Sequence, residues 1–287
     1  MAPVHGMPMH LSVLVLVSAL ILTTGCGQHP LGETIAETQS EYSHIRVRAA
    51  GSVRTLMFVD DTGTETRQSS LDTAAPGNLQ VAYTGYQFAS LLVRYPQDRV
   101  LMVGLGGGSM VRFFNHHFPE AHVDAVEIDP AVVALAAEHF GTRPGPNTRI
   151  FTEDAFAFLR RDHQPYDVIY MDAFLSPAEG TDEVGLPDQG KTRSFLKSLH
   201  RHLKPGGAVA FNLIESKSTK ADLAAIRDAF PTVYVFDVPK YTNLAVIASL
   251  NPRFLSDETL RQTAQKLDRT HPLSFPLTAL VPARVNK

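Results

Sequence analysis

The sequence contains one cysteine and no tryptophan among its 287 residues. A disulfide within the chain is therefore excluded. The net charge is only -3 at pH 7, so the chain lacks the strongly basic character of most nucleic-acid-binding proteins. A hydrophobic content of 44% is enough to form a sizeable core. We therefore expect a globular protein with no nucleic-acid partner.

Several catalytic motifs are also missing. No Gly-Lys-Ser/Thr follows the glycine-rich stretch near residue 105, which excludes a phosphate-binding P-loop. No serine occupies a Gly-x-Ser-x-Gly elbow, so the sequence does not indicate an α/β-hydrolase. The 12 histidines form no recognisable metal-ligand pattern, and we expect no metal.

The first 25 residues resemble a bacterial export signal. An apolar run over residues 11–22 is too short to span a bilayer as a mature helix. Residues 22–26 then resemble a lipobox, in which the cysteine is lipidated and becomes the first mature residue. We predict a signal peptide over residues 1–25, lipidation at Cys26, and a lipid-anchored periplasmic or outer-membrane location. An ordinary signal peptide, or a misassigned start codon ahead of a cytoplasmic protein, is the alternative, because no lysine or arginine precedes the apolar run.

Beyond this segment the pattern predicts two folded parts. Residues 26–44 are polar and suit a tether, whereas residues 45–78 alternate between apolar and polar positions and predict a small antiparallel β domain. Strand-like and helix-like segments alternate over residues 79–250, which is typical of a parallel sheet covered by helices on both faces. One helix is expected over residues 79–95 and a turn at 204–207. Residues 251–287 are assigned to a C-terminal helix and tail.

A glycine-rich turn organises the larger domain. It contains Gly104, Gly106 and Gly108, follows a predicted buried strand, and leads into a predicted helix. The next strand ends at Glu127, about twenty residues further on, as in nucleotide-binding βαβ units. The glycines let the backbone approach a ligand, and the acid can accept hydrogen bonds from both ribose hydroxyls. A tight turn with no ligand is the alternative.

Two later strands are also predicted to end in acids, Asp154 and Asp172. Ligands of open α/β sheets bind beyond the carboxyl ends of the strands, so we expect both acids to lie near Glu127. Asp154 suits the amino group of adenine, which leaves Asp172 facing the reacting centre. An aspartate after a strand can instead cap the following helix, and this alternative suits Asp154 well.

Together these segments resemble the successive motifs of spermidine synthases. The matching stretches are residues 100–109, Val-Glu-Ile-Asp-Pro at 126–130, Glu-Asp-Ala at 153–155 and Tyr-Asp-Val-Ile-Tyr-Met-Asp at 166–172. The resemblance covers roughly residues 45 to 250. It implies an α/β, methyltransferase-like Rossmann domain with a mostly parallel seven-stranded sheet, preceded by the small β domain. It also implies aminopropyl transfer from decarboxylated S-adenosylmethionine to a diamine such as putrescine.

The resemblance further implies individual roles. Glu127 would hold the ribose, Asp154 would hold the adenine, and Asp172 would help to deprotonate the attacking amine. Gln68 and Tyr83 match polar positions that line the substrate site.

Two departures from the family leave the reaction open. The family's glycine loop usually carries an aspartate that pairs with the donor's ammonium, and Gly107 or Gly108 stands at that place. The second acid of the family's Asp-x-x-Asp-Pro stretch is also missing after Asp172. Without the loop aspartate, repulsion against a donor carboxylate is lost. S-adenosylmethionine is therefore the alternative co-substrate, and methyl transfer is the alternative reaction.

A third hypothesis belongs to a different class of protein. Adenosyl donors are made in the cytosol, so the export signal favours a surface-anchored binding module with a degenerate site. For the enzyme hypotheses, the expected partners are a small-molecule amine and, through the lipid, the membrane. A homodimer is left open.

Overall fold

The computed structural model describes residues 30–174, 180–183 and 185–287. The predicted signal peptide, Cys26 and part of the loop after Asp172 lie outside these residues. Within them, a four-stranded antiparallel sheet is followed by an eight-stranded mixed sheet with helices on both faces. The predicted α/β architecture with a small N-terminal β sheet is confirmed.

The N-terminal sheet is a simple meander with the strand order β1-β2-β3-β4. Its strands are β1 (Glu33–Gln39), β2 (His44–Ala50), β3 (Val53–Val59) and β4 (Glu65–Asp72). Residues 26–44 were predicted to be a tether, and this prediction is wrong for Glu33–Gln39, which form strand β1. This edge strand buries none of its side chains fully, so it lacks the apolar alternation that marks a half-buried strand.

The larger sheet has the order β12-β10-β11-β9-β8-β5-β6-β7. Its strands are β5 (Arg99–Val103), β6 (His122–Glu127), β7 (Thr148–Thr152), β8 (Tyr166–Met171), β9 (Leu203–Ile214), β10 (Thr232–Asp237), β11 (Asn243–Ser249) and β12 (Arg284–Val285). Strands β5 to β9 pair in parallel, whereas β10, β11 and β12 are joined by antiparallel pairing. The predicted seven strands are therefore supplemented by β12, whose two residues are too few to show a periodic pattern.

Helices cover both faces of this sheet. They are α1 (Ala82–Gln87), α2 (Ser90–Val93), α3 (Ser109–His117), α4 (Pro130–His139), α5 (Ala155–Arg160), α6 (Asp188–Lys191), α7 (Arg193–Ser198), α8 (Thr219–Ala229) and α9 (Asp257–Thr270). Short 3-10 turns occur at Leu199–His202, Leu277–Ala279 and Val281–Ala283. Each helix in the described part of the chain is too short or too polar to cross a bilayer.

Two local predictions are corrected by the structure. The single helix expected over residues 79–95 is divided into α1 and α2, because Phe88 and Ala89 donate to carbonyls three residues back and tighten the chain between them. The turn expected at residues 204–207 lies inside β9. Here the pairing with β8 shifts register, and Gly206 takes a φ of +70°, so the glycines accommodate an irregular strand.

The N-terminal sheet packs against helix α4 of the larger domain through apolar side chains. Ile45, Val47 and Leu56 of the N-terminal sheet lie against Val132 and Leu135 of α4. The turn after β1 adds a polar link, because the Ser40 hydroxyl donates to Asp129 Oδ2 at 2.6 Å. The N-terminal sheet is thereby held beside the carboxyl end of β6.

The strand order reverses at β5. Strands β6 and β7 lie on one side of β5, and β8 and β9 lie on the other. In open α/β sheets such a reversal leaves a crevice beyond the carboxyl ends of the two central strands. The glycine-rich turn after β5 and Asp172 after β8 both lie at this crevice.

Candidate functional site

The glycine-rich turn lies against the end of β8. Gly104 follows β5 with a φ of +93°, and a Cβ at this position would lie 2.3 Å from the carbonyl oxygen of Asp172. Only glycine allows both this backbone conformation and this approach. Helix α3 then begins at Ser109, so the turn forms the floor of the crevice.

A single cleft brings together all the ligand-binding and catalytic residues predicted within the described part of the chain. Its empty volume is about 1030 Å³, including the open mouth. The predicted residues that line it are Gln68, Tyr83, Gly104, Gly106, Gly108, Glu127, Asp154 and Asp172. Residues far apart in sequence thus converge on one site, as expected for the carboxyl edge of a parallel sheet.

Glu127 is held rigidly at the end of β6. The backbone N–H of Leu105 donates to Oε2 at 3.0 Å, and the backbone N–H of Asp129 donates to Oε1 at 3.1 Å. Burial raises the pKa of Glu127, and these backbone donors oppose the increase. Each carboxylate oxygen can accept more than one hydrogen bond, so the group can also accept two hydroxyls from a ligand.

Asp154 combines two roles. Its Oδ1 accepts from the backbone N–H of Ala157 at 2.7 Å. Asp154 therefore caps helix α5, which is the structural role that the sequence offered as the alternative to ligand binding. It also lines the cleft. A carboxylate has two oxygens, and the cap engages Oδ1, so Oδ2 can accept from a ligand amino group.

Asp172 lies just beyond β8, on the side of the sheet covered by α1. The side-chain amide of Asn212 donates to Oδ1 at 2.7 Å. Burial raises the pKa of Asp172, whereas the amides of Asn212 and Gln87 act against this increase. The carboxyl group therefore ionises less readily than a solvent-exposed aspartate, as expected of a base that accepts protons during catalysis.

Gln68 and Tyr83 form the wall contributed by the N-terminal sheet and α1. The Tyr83 hydroxyl donates to the backbone carbonyl oxygen of Gln68 at 3.4 Å. Burial, followed by the charge of Asp172, raises the pKa of Tyr83. The phenol therefore stays protonated at neutral pH, and while its proton is donated to Gln68, its oxygen can accept a hydrogen bond from a ligand.

Sequence reasoning missed four polar residues at or near the site: Ser69, Gln87, Asn212 and Asn243. Ser69 Oγ and both amide atoms of Gln87 are buried without a hydrogen-bond partner among the described residues. Asn212 and Asn243 are buried and bonded to each other. One feature of the sequence could have identified Asn212, because it is a polar side chain within an otherwise apolar segment, Ala-Val-Ala-Phe-Asn-Leu.

The described residues contain no group of three or more histidine, cysteine, aspartate or glutamate side chains placed to hold a metal ion. The polar atoms in the cleft instead come from carboxylates, a phenol and backbone N–H groups. This donor set suits an uncharged ribose and an amino-substituted base.

These features define a transferase of the methyltransferase-like α/β class. Residues 101–209 match the model of the methyltransferase domain family. The polyamine aminopropyltransferase of Vibrio vulnificus is 30% identical over 265 residues, which span 90% of this chain and 86% of that protein. The chain belongs to the polyamine aminopropyltransferase family.

Solved structures show the same fold. Human methyltransferase-like protein 13, determined in complex with SAH, aligns with a TM-score of 0.61 and 29% identity, over 66% of this chain and 92% of that chain. A probable spermidine synthase from Corynebacterium glutamicum aligns with a TM-score of 0.65 and 23% identity, over 84% of this chain and 88% of that chain. The second likeness covers more of this chain and concerns the fold alone.

Proposed function

We propose that this protein transfers an aminopropyl group from decarboxylated S-adenosylmethionine to a diamine such as putrescine. The observation that supports this most directly is the position of Asp172, a partly buried carboxylate that lines the same cleft as Glu127 and Asp154. Membership of the polyamine aminopropyltransferase family supports the same reaction.

In this proposal Glu127 and Asp154 hold the nucleoside. Glu127 accepts hydrogen bonds from the two ribose hydroxyls, and Asp154 Oδ2 accepts one from the adenine amino group. The SAH bound to the human relative supports a ligand of this chemical class. Gly104 and Gly106 then lie where the backbone must approach the sulfonium side of the donor.

Asp172 acts on the acceptor. The amine nitrogen attacks the carbon bonded to the sulfonium, the carbon–sulfur bond breaks, and its electron pair stays on sulfur as a neutral thioether. The nitrogen loses one proton, which passes to Asp172 Oδ2. A positioned base of this kind contributes typically about 10²–10⁴-fold to the rate. Tyr83 lies on the facing wall, where its hydroxyl oxygen accepts a hydrogen bond from an amine of the acceptor and orients it.

The test compares wild type with Asp172→Asn in transfer assays that offer each donor with putrescine or spermidine. The variant keeps the size of the side chain but cannot accept the proton, so we expect turnover to fall by about 10²–10⁴-fold with nearly unchanged affinity for methylthioadenosine. Asp162→Asn, an exposed aspartate outside the cleft, is the matched control. Wild-type protein that transfers nothing from either donor would refute the enzymatic proposals and favour the binding-module hypothesis.

Methyl transfer from S-adenosylmethionine is a second candidate, favoured by one observation. Gly107 or Gly108 stands where the family places its loop aspartate. Phe140 and Ser69 occupy the space that a side chain at Gly107 would need, and Thr142 occupies the space needed at Gly108. The cleft therefore has no loop acid to repel a donor carboxylate. Transfer from S-adenosylmethionine alone, in the same assay, would select this reaction.

A further inference from the structure

Two buried asparagines connect Asp172 to the neighbouring strands. The Asn243 amide donates to Asn212 Oδ1 at 2.8 Å, and the Asn212 amide donates to Asp172 Oδ1 at 2.7 Å. Asn212 is 4% exposed and Asn243 is 8% exposed. Asn212 belongs to β9 and Asn243 to β11, which pair side by side, so the sheet itself fixes the spacing of the two amides.

The direction of these hydrogen bonds, from Asn243 to Asn212 to Asp172, is set by the carboxylate of Asp172. An ionised carboxylate only accepts, so Asn212 must turn its NH2 group toward Asp172. Its carbonyl oxygen then faces Asn243, which must offer an NH2 group in turn. Each amide is thereby held in one orientation, and the order is consistent only while Asp172 remains an acceptor.

We infer that Asn212 and Asn243 form a positioning relay that holds Asp172 as an oriented carboxylate, with Oδ1 engaged and Oδ2 left for the acceptor nitrogen. The inference rests on the proposed function, because it assigns the relay to the base of that reaction. Asn212 and Asn243 are positioning residues in this account, since they act through Asp172 rather than on substrate.

The other groups around Asp172 do not replace the relay. From α1, Tyr83 is the titratable neighbour, and burial keeps it protonated. Gln87, also on α1, lies near the carboxylate, but its amide has no hydrogen bond of ordinary geometry within the described residues. Asn212 is thus the side chain that engages Asp172 with good geometry, and Asn243 is the side chain that orients Asn212.

The test replaces the donor at Asn243 with an acceptor, which should turn the Asn212 amide away from Asp172. In Asn243→Asp a second carboxylate competes for the Asn212 NH2 group, which can turn to only one of the two. Asp172 then loses a hydrogen bond to its charged form, which corresponds to an increase of about one to two units in the pH midpoint of the acid limb of kcat/KM. Asn243→Leu removes the donor to the Asn212 carbonyl oxygen but offers no competing acceptor, so the Asn212 amide is held less firmly and the midpoint should rise by less than in Asn243→Asp.

Asn212→Leu provides a second route to the same result. It removes the donor without adding a charge, and we expect its midpoint to increase in the same direction as that of Asn243→Asp. Unchanged midpoints in both Asn212→Leu and Asn243→Asp would overturn the relay, as would equal losses of activity at every pH in all three variants, which indicate a packing role.

A measurement without turnover separates this inference from the proposed function. Carbon-13 NMR titration of labelled aspartate, with Asp172 assigned from the missing signal in Asp172→Asn, reports its ionisation directly. A higher Asp172 pKa in both Asn212→Leu and Asn243→Leu than in wild type, neither of which adds a charge, supports the relay, even if wild type proves inactive in both transfer assays. A wild-type Asp172 pKa in either Asn212→Leu or Asn243→Leu overturns the relay, even if wild type is active.

Discussion

Gly107 and Phe140 are in such close contact that a Cβ added to Gly107 would lie 2.8 Å from Phe140 Cδ1. The same Cβ would lie 2.9 Å from the hydroxyl of Ser69 on β4. Phe140 is fully buried and packs against Leu56 of the N-terminal sheet and Val132 of α4, so its ring cannot move without disturbing that core. Gly107, one of the two positions at which the family's loop aspartate could stand, is therefore closed by packing in this protein; at Gly108, the other, a Cβ would lie 2.2 Å from Thr142 Cγ2.

This contact predicts the outcome of restoring the acid. Gly107→Asp should destabilise the protein by about 1–3 kcal/mol, as overpacked substitutions do, and lower its Tm. It should not increase the preference for the decarboxylated donor. Gly145→Asp is the matched control, because a Cβ there meets nothing within 4 Å. Wild-type Tm in Gly107→Asp, measured by thermal unfolding, would contradict the argument from packing.

The hydrogen bonds of Glu127 predict its effect on ligand binding. Loss of its carboxylate removes two charge-assisted bonds to ribose, each worth about 1.5–3 kcal/mol. The remaining groups partly compensate, so we expect Glu127→Ala to weaken methylthioadenosine binding by about one to two decades in calorimetry.

Glu138→Ala, which alters an exposed side chain on α4, is the control for the change in charge. Backbone N–H groups lose their acceptor in Glu127→Ala, so the titration should be accompanied by a thermal melt. A folded variant with wild-type affinity would remove Glu127 from the binding site.

The cleft could be predicted from the sequence because its geometry follows from a rule about sheets. Gly104, Glu127, Asp154 and Asp172 each lie at or just after the end of a strand that the sequence predicts. Parallel strands place such ends on one edge, so the residues converge whatever their separation along the chain. The main fold was predictable for the same reason.

Other features could not be predicted, since they depend on pairing rather than on local pattern. Strand β1 is an exposed edge, and β12 has two residues, so neither carries a periodic signal. Asn212 and Asn243 meet because β9 and β11 pair in a particular register, with Asn243 opposite Ile214. Closure of the glycine loop by Phe140 likewise requires knowledge of how the N-terminal sheet is packed.

The location of the protein depends on Cys26, and we propose that the mature chain is anchored by lipid at this residue. Cys26→Ser should block lipidation and move the protein from the membrane fraction to the soluble fraction. Fractionation, combined with mass measurement of the N-terminus, provides the readout. A cytoplasmic wild type that retains Met1 would contradict the proposal, whereas an unlipidated N-terminus downstream of the apolar run would indicate a misassigned start.

The last prediction concerns stability, and its sign follows from the raised pKa of Asp172. Because folding raises this pKa above its ordinary value of 3.8, ionisation of Asp172 destabilises the folded state relative to the unfolded state. Below about pH 4 the group is protonated in both states and has no such effect. The destabilisation grows as the pH rises toward the folded-state pKa, and is constant above it.

Asp172→Asn cannot ionise, so its stability relative to wild type should increase over that pH window and then level off. The gain is about 1.4 kcal/mol for each pH unit by which the folded-state pKa exceeds the unfolded one. Chemical unfolding from about pH 3 to about pH 8 measures it, with Asp162→Asn as the control that should show no gain. A variant that is less stable than wild type at neutral pH would mean that the relay from Asn243 through Asn212 stabilises the carboxylate by more than its burial costs.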